Sequence, residues 1–213
     1  ALRGGKFPHS RYAMLAPTFG QSQAIFWDDL KTMTTGMQTR RPSESKMIVW
    51  IPGAEIHVKG LDQPQRIEGQ PWDGFVIDEV DDLKDGFWEE HLRPCLSDRK
   101  GWAIFHGVPN GFGVLHKLST MHIRFPEEWS YYHWLSSEIL DKSEIESAKS
   151  GMDEKTFRQE YEATFEALTG RVYYAFDRVL NTRSLPDSLK AVKWSAGMDF
   201  NVDPMSCRIF VED

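Results

Sequence analysis

Two neighbouring carboxylates, Asp78 and Glu79, directly follow a short apolar run, Phe75-Val76-Ile77. The run has the length of a buried β-strand, and ligands of α/β sheets bind beyond the carboxyl ends of the strands. An aspartate there can hold Mg²⁺, directly or through water, because this hard cation takes oxygen ligands and keeps part of its hydration shell. The adjacent glutamate can polarise a water against a terminal phosphate, which requires only hydrogen-bond reach. The pair therefore predicts metal-assisted phosphate chemistry at a strand end.

A second candidate segment is the turn-rich run Gly107-Val108-Pro109-Asn110-Gly111, which follows an apolar strand over residues 102–106. If that strand runs parallel to the one ending at Ile77, the carboxyl ends of both strands meet at one edge of the sheet. The loop would then lie beside Asp78. The alternative is an ordinary surface turn, since glycine, proline and asparagine are the common turn residues.

The remaining pattern predicts an α/β arrangement that positions these segments. Strands are expected at residues 12–16, 47–50, 55–58, 194–200 and 205–211, with Pro52-Gly53 forming a type II turn. A helix is expected after Ser22, with an apolar stripe at Phe26, Leu30 and Met33, and another over residues 81–96. A third is expected to begin with a capping box at Ser143. A fourth is expected over residues 153–168, with one apolar face formed by Phe157, Tyr161, Phe165 and Leu168.

Composition excludes several classes of protein. The chain has 213 residues, 25 basic and 32 acidic side chains and a net charge of −7, so a nucleic-acid contact would need a local basic patch or an assembled ring. Its two cysteines predict neither a disulfide framework nor a zinc site, which favours a reducing cytosol. No apolar run reaches the roughly 18 residues of a membrane span.

The order of these segments resembles the catalytic-glutamate branch of P-loop ATPases. The order is a strand, Asp-Glu, a helix-bearing segment, a second strand and a Gly-x-Pro-x-Gly loop. In that branch, the strand that ends in Asp-Glu is the Walker B element. More closely, residues 56–111, with Gly60-Leu61-Asp62-x-Pro64-x-Arg66-x-x-Gly69, resemble the large terminase subunit of tailed bacteriophages. A second block, Phe157-Arg158-Gln159-Glu160-Tyr161-Glu162-Ala163, resembles the helix where the ATPase and nuclease of that family meet. The resemblance covers most of the chain.

The resemblance implies a RecA-like P-loop NTPase fold, a mostly parallel sheet flanked by helices, followed by the start of an RNase H-like nuclease domain. The expected divisions are an ATPase domain at 1–150, a linking helix and linker at 151–190, and the first nuclease strands at 191–213. Asp78 would be the carboxylate associated with the Mg²⁺ of ATP, and Glu79 the catalytic one. Asp199 would be one ligand of a nuclease Mg²⁺ or Mn²⁺, although a strand-end turn residue is the alternative reading.

The loop after residue 106 would be the family's coupling motif, formed by His106, Gly107, Pro109, Asn110 and Gly111, which senses the γ-phosphate. The family usually has a hydroxyl residue before the proline, where this chain has Val108; His106, or the backbone N–H groups of the loop, are the candidate replacements. Arg66 matches an arginine that can act as an arginine finger. It can equally contact a DNA phosphate or face solvent.

The phosphate loop itself is not recognisable in the chain. Gly4-Gly5-Lys6 lacks the first glycine of that motif, and Phe7 stands where Ser or Thr would bind Mg²⁺. We therefore expect the phosphate loop upstream of Ala1, with Gly4-Gly5 as a helix end. A chain without that loop should bind ATP poorly, since the loop supplies most phosphate contacts.

The resemblance implies a motor subunit that packages double-stranded viral DNA and cuts concatemers. Its partners would be the portal protein, the small terminase subunit and further copies in a ring on the capsid, with no membrane. Its location would be the host cell cytoplasm, transiently at the procapsid portal. Three alternatives stand beside it: a helicase-like ATPase, an RNase H-like nuclease or transposase in which Asp78, Glu79 and Asp199 share metals, and a catalytically silent assembly module.

Overall fold

The computed structural model describes residues 9–166, 193–199 and 206–212. The chain divides into two compact units, Ala1–Leu168 and Thr169–Asp213, which are described separately. The predicted helix end at Gly4-Gly5 and the predicted linker at 181–189 lie outside the described residues. The three-part division at residues 150 and 190 stays a prediction.

The first unit contains a five-stranded sheet in the order β2-β3-β1-β4-β5. β1 pairs in parallel with β3 and β4, and β4 pairs in parallel with β5, whereas β2 is antiparallel to β3. This arrangement confirms the mostly parallel α/β sheet. The strands are β1 (Ser10–Ala16), β2 (Ile48–Ile51), β3 (Ala54–Gly60), β4 (Gly74–Ile77) and β5 (Trp102–Phe105).

Short helices connect and flank these strands. The α-helices are α1 (Phe19–Ser22), α2 (Asp28–Met33), α3 (Arg93–Cys95), α4 (Val114–Ser119), α5 (Met121–Arg124), α6 (Lys142–Gly151) and α7 (Glu154–Glu162). Wider π-helical turns cover Gln23–Trp27 and Trp88–Leu92, and 3₁₀ turns cover Pro64–Arg66, Val80–Asp82 and Ser136–Glu138. α1, the first π-helical turn and α2 form one continuous helical stretch.

Alternate residues of the central strands supply two apolar cores, because successive strand side chains point to opposite faces of a sheet. On one face, Leu15 and Ile77 are fully buried with Trp72 and Leu92. On the other face, Tyr12 and its neighbours meet Trp27 from the first helical stretch. β1 is thus packed on both faces, and β4 packs Phe75 and Ile77 into the first core.

The first helical stretch begins earlier than predicted. Its N-cap is Thr18, whose side chain accepts from the N–H of Gln21 while the Gln21 side chain accepts from the N–H of Thr18. Ser22, predicted as the cap, is buried inside the helix and donates to the backbone oxygen of Lys59. Met33, predicted in the apolar stripe, is 76% exposed, and Trp27 packs in the core instead.

The helix predicted over 81–96 is wrong in its first half. A single 3₁₀ turn follows β4, and Gly86 takes a φ of +81°, which interrupts any helix there. The helical part begins at Trp88, and its π-helical turn precedes Pro94, so that the chain passes the proline and continues to Cys95.

β5 is not the fully buried strand that its sequence suggested. Within the described residues it is the edge strand of the sheet, with Trp102 38% and Ile104 53% exposed. Its other face is covered, because Phe105 stacks on Trp129 and meets Trp88 edge-on.

Two helix predictions near residues 143 and 153 need correction. α6 has Asp141 rather than Ser143 at its N-cap, and no side-chain capping bond. α7 is capped by Asp153 but ends at Glu162, because Ala163 is left-handed with a φ of +48°. Phe157 and Tyr161 stack on one face of α7 as predicted, whereas Phe165 lies beyond the helix.

The second unit contains an antiparallel pair, β6 (Lys193–Asp199) and β7 (Ser206–Glu212). Both strands begin and end within one residue of their predicted bounds. Assignment of this hairpin to an RNase H-like domain stays a prediction. Across the described part of the chain, no helix has the length and apolarity to cross a bilayer.

Candidate active site

Three parallel strands bring the predicted site residues to one edge of the sheet. Ile77 of β4 is in register with Phe105 of β5, so Asp78 and His106 are the first residues beyond two neighbouring strands. The ladder continues past both strand ends, since the N–H of Asp78 donates to the oxygen of Leu15 (2.8 Å) and the N–H of His106 to that of Ile77 (2.8 Å). The parallel relation that the sequence left conditional is therefore present.

Asp78 is held by two hydrogen bonds to one of its oxygens. Oδ1 lies 2.6 Å from Nδ1 of His106 and accepts from the N–H of Glu79 at 3.0 Å. Because a carboxylate can only accept, the imidazole presents its hydrogen on Nδ1. The Asp78 side chain is 15% exposed and that of His106 is 72% exposed. No hydrogen bond within the described residues engages Oδ2, which leaves that oxygen for a further ligand.

Glu79 has a backbone conformation that L residues seldom adopt. Its φ of 51° and ψ of 46° lie in the left-handed region, which costs a non-glycine residue on the order of 1 kcal/mol or more. The residue is exposed, so no packing requirement explains this conformation. The left-handed turn directs the chain sharply away from the strand immediately after the two carboxylates, and such conformations cluster at functional sites.

The charges around Glu79 favour its protonated form. Partial burial raises the pKa of the Glu79 carboxyl above its ordinary value of 4.5, and the negative charges of Asp78, Asp82 and Glu160 act in the same direction. His106 opposes the shift. A carboxylate with a raised pKa is a better proton acceptor, and therefore a better general base, than an ordinary glutamate.

The loop 107–111 lies against the segment that follows Glu79. The N–H of Val80 donates to the oxygen of His106 at 3.2 Å, and a side chain on Gly107 would come within 3.3 Å of the nitrogen of Val80. Gly111 has a φ of +67°, which explains glycine at that position. Pro109 is buried, whereas Asn110 is exposed.

Asp81 also connects the two segments, through both of its carboxylate oxygens, and the sequence analysis missed it. Its Oδ2 accepts from the N–H of Asn110 at 2.7 Å, and its Oδ1 accepts from the N–H of Leu115 at 2.7 Å. The sequence pattern placed Asp81 at the start of a helix, where an acid is common, and offered no signal that its partners lie about thirty residues later.

Known proteins with similar sequences are large terminase subunits of phages. No family model matches the chain. The large terminase subunit of Escherichia phage T5 is 24% identical over 187 residues, which cover 84% of this chain and 42% of that protein. The large terminase subunit of Thermus phage G20c is 23% identical over 209 residues, covering 81% of this chain and 43% of the relative. The chain is similar in sequence to phage large terminase subunits. It spans less than half the length of these curated relatives.

Solved terminase structures share the fold. The ATPase domain of the large terminase of Thermus phage P74-26 matches with a TM-score of 0.62 at 20% identity, covering 75% of this chain and 78% of that one. The large terminase of a thermophilic bacteriophage, in complex with ADP, matches with a TM-score of 0.63 at 16% identity, covering 98% of this chain and 53% of that one. The P-loop NTPase fold predicted for the first unit is therefore confirmed.

Although Val108 departs from the terminase pattern, hydrogen bonds from other residues still anchor the loop. The Val108 side chain offers no hydrogen bond and is 41% exposed. Two other groups of the same loop bond to the acidic segment: the His106 imidazole to Asp78, and the N–H of Asn110 to Asp81. Both belong to the replacements considered from the sequence.

Arg66 follows β3, whose carboxyl end lies at the same edge of the sheet as that of β4. It ends the 3₁₀ turn that follows β3, is exposed, and its backbone oxygen accepts from Nζ of Lys59 at 3.3 Å. No contact within the described residues joins Arg66 to Asp78 or Glu79. The arginine-finger role for Arg66 stays a prediction.

Asp199 is the last residue of β6, as expected from the sequence, in the second unit. Its proposed role as a nuclease metal ligand stays a prediction. In the described part of the chain, no group of three or more histidine, cysteine or acidic residues forms a metal cluster.

A magnesium ion fits the donors at the end of β4. Oδ2 of Asp78 is a hard oxygen donor, and Mg²⁺ associated with nucleotides is usually bound by one or two carboxylates, waters and phosphate oxygens. One carboxylate from the protein, Asp78, is therefore enough when waters and phosphate oxygens supply the other ligands. A cluster of protein ligands is not required.

Proposed function

We propose that this chain contributes the ATP-hydrolysing part of a DNA-packaging large terminase subunit. One observation carries the proposal: Asp78 and Asp81, which lie on either side of Glu79 beyond β4, are hydrogen-bonded to His106 and Asn110 beyond the adjacent parallel strand β5. This is the edge at which α/β sheets bind nucleotides. Sequence similarity to phage large terminase subunits supports the same activity.

Each residue has a distinct task in the proposed reaction. Asp78 would hold Mg²⁺, which neutralises charge on the phosphate oxygens. Glu79 accepts a hydrogen bond from the attacking water and orients it toward the terminal phosphate. His106 keeps the Asp78 carboxylate in one orientation through its Oδ1, so that Oδ2 stays directed to the site. The loop 107–111 lies close enough to Glu79 to respond to the presence of the terminal phosphate.

Nucleotide binding by a terminase of this fold supports ATP as the substrate. The large terminase of the same thermophilic bacteriophage has been solved with ADP and also with ATP-γ-S. We propose Mg²⁺ as the metal, because Asp78 is the oxygen donor that this ion prefers. Phosphate contacts from a phosphate loop are required for tight binding, so the active form is the protein at its natural length.

The wider assignment also belongs to this proposal. The protein would act in the host cell cytoplasm and transiently at the procapsid portal, in a ring of identical subunits with the portal protein and the small terminase subunit. It would move double-stranded DNA, and Asp199 would bind the Mg²⁺ or Mn²⁺ of an endonuclease that cuts concatemers. The net charge of −7 means that DNA contacts come from local basic groups or from the ring.

The test is ATP turnover by the natural-length protein with portal-bearing procapsids and double-stranded DNA. We expect DNA-dependent turnover that falls at least about a hundredfold in Glu79→Gln, because a general base contributes roughly 10²–10⁴-fold. The matched control is Glu146→Gln, an exposed residue of α6, which should retain wild-type turnover. Turnover stimulated by single-stranded DNA alone would favour a helicase, and unchanged turnover in Glu79→Gln would refute the assignment.

A further inference from the structure

Both carboxylate oxygens of Asp81 accept hydrogen bonds from backbone N–H groups of the segment that follows β5. The two bonds, to Asn110 and Leu115, are each 2.7 Å, at the short end of the range for hydrogen bonds to a charged acceptor. Asn110 belongs to the loop 107–111, and Leu115 lies in the first turn of α4. A single side chain therefore joins the turn after β4 to both the loop and the helix that follows it.

The packing around Asp81 leaves space for these bonds only because residue 113 is glycine. A Cβ atom on Gly113 would stand 2.5 Å from Oδ1 of Asp81, which is closer than real Cβ contacts. The φ of Gly113 is −79°, outside the left-handed region that favours glycine. The close approach of the carboxylate explains glycine at this position.

We propose that Asp81 is a positioning residue that fixes the loop 107–111 relative to Glu79, two residues away along the chain. This inference rests on the proposed function, because it assigns a task to the same nucleotide site. Asp81 holds the loop by its backbone, so any movement of the loop toward or away from a terminal phosphate must move Asp81 or break its bonds. α4 follows the same movement through Leu115.

The structural part of this proposal is tested by hydrogen exchange at the amides of Asn110 and Leu115. In Asp81→Asn only one oxygen acceptor remains, and the new NH₂ group faces the other N–H. We expect exchange of at least one of these amides to accelerate roughly tenfold, since a hydrogen bond to a charged group is worth that much or more. Asp82→Asn is the matched control, because it removes the same charge from the neighbouring residue, whose side chain bonds neither amide.

The functional part is tested by steady-state ATP turnover of the natural-length protein. We expect Asp81→Asn to lower kcat about tenfold or more with KM for ATP changed less than twofold, because a misplaced loop disturbs the reacting geometry rather than nucleotide binding. Gly113→Ala should produce the same kcat loss, since its methyl group displaces the same carboxylate. Glu146→Gln, at an exposed position of α6 away from this site, should keep the wild-type kcat.

The two measurements separate the possible failures. Unchanged exchange at both amides in Asp81→Asn would show that the carboxylate does not fix the loop. Faster exchange with unchanged kcat in both Asp81→Asn and Gly113→Ala would overturn the positioning role. A wild-type protein without ATP turnover would refute the proposed function itself, and the exchange data would then decide alone whether Asp81 holds the loop.

Discussion

His106 and Asp81 each form a polar link between the segments that follow β4 and β5. The imidazole of His106 reaches back to Asp78, and the carboxylate of Asp81 reaches forward to the amide of Asn110. Glu79 stands between these links in a left-handed conformation with a raised carboxyl pKa. Aspartate and asparagine are individually common in turns. Here, hydrogen bonds between the two segments that follow β4 and β5 fix the positions of these residues.

The raised pKa of Glu79 predicts the pH dependence of ATP turnover. Activity requires the ionised carboxylate, so kcat should fall as pH drops through the raised pKa, which lies above the ordinary 4.5. Asp82 contributes to the shift, and Asp82→Asn should therefore move this acid limb to lower pH. Asp85→Asn removes an equal charge that is paired with Lys117, and its pH profile should match wild type. An acid limb unmoved by Asp82→Asn would contradict this electrostatic account.

Glu55 provides a second test, of stability rather than activity. Burial disfavours its ionised form, but hydrogen bonds, chiefly from Nε of Arg11 at 2.7 Å, outweigh burial and lower the pKa of Glu55 from 4.5 to about 2. Nε2 of His57 lies 3.1 Å from the same oxygen but without hydrogen-bond alignment, so we regard Arg11 as the principal partner.

Because the folded-state pKa of Glu55 is the lower one, its stabilising contribution is complete above about pH 4.5 and disappears as pH falls toward 2. Glu55→Gln should lower the free energy of unfolding at pH 7 by on the order of 2 kcal/mol, allowing for solvent screening. The loss should shrink as pH falls through this window in denaturant titrations. Glu146→Gln, at an exposed ion pair, should change stability by less than about 0.5 kcal/mol. A loss independent of pH would contradict the charge-based explanation.

At the scale of elements, the contact between Gly60 at the end of β3 and the start of α1 is the tightest in the described sheet. A Cβ on Gly60 would lie 2.1 Å from the backbone nitrogen of Phe19, a group that cannot rotate away. Gly60→Ala should therefore destabilise the protein by roughly 1–3 kcal/mol. Gly20→Ala, in open space one residue into the same helix, should be neutral or stabilising. Equal melting temperatures for the two variants would exclude this tight contact.

The sequence predicted the sheet more accurately than the helices, for identifiable physical reasons. Strand bounds followed from short apolar runs, and the turn at Pro52-Gly53 followed from glycine, which has a φ of +74° there. The helix start at Thr18 was missed because Ser22 offered an equally plausible cap. The end of α7 at Glu162 was missed because Ala163 carries no sequence signal for a left-handed residue.

The candidate site was predictable only in part. Asp78, Glu79 and the loop 107–111 were identified because strand ends converge in parallel sheets. Asp81 could not be identified, since its partners are distant in the sequence and are backbone groups, which every residue possesses.

At the scale of the molecule, the chain spans less than half the length of the curated relatives that it matches. It matches 42% of the T5 relative and 43% of the G20c relative, and its first unit has the fold of terminase ATPase domains. The described sheet presents two acidic residues and an anchored loop at one edge. Phosphate contacts must come from a phosphate loop beside that edge if the site is to bind ATP.

The most direct test is a structure of the natural-length protein with Mg²⁺ and ATP-γ-S. The account predicts that the terminal phosphate lies between Glu79 and the loop 107–111, with Mg²⁺ bound to Oδ2 of Asp78 at about 2.1 Å or through one water. A nucleotide bound at another edge of the sheet, or a metal too far from Asp78 for a single bridging water, would contradict it.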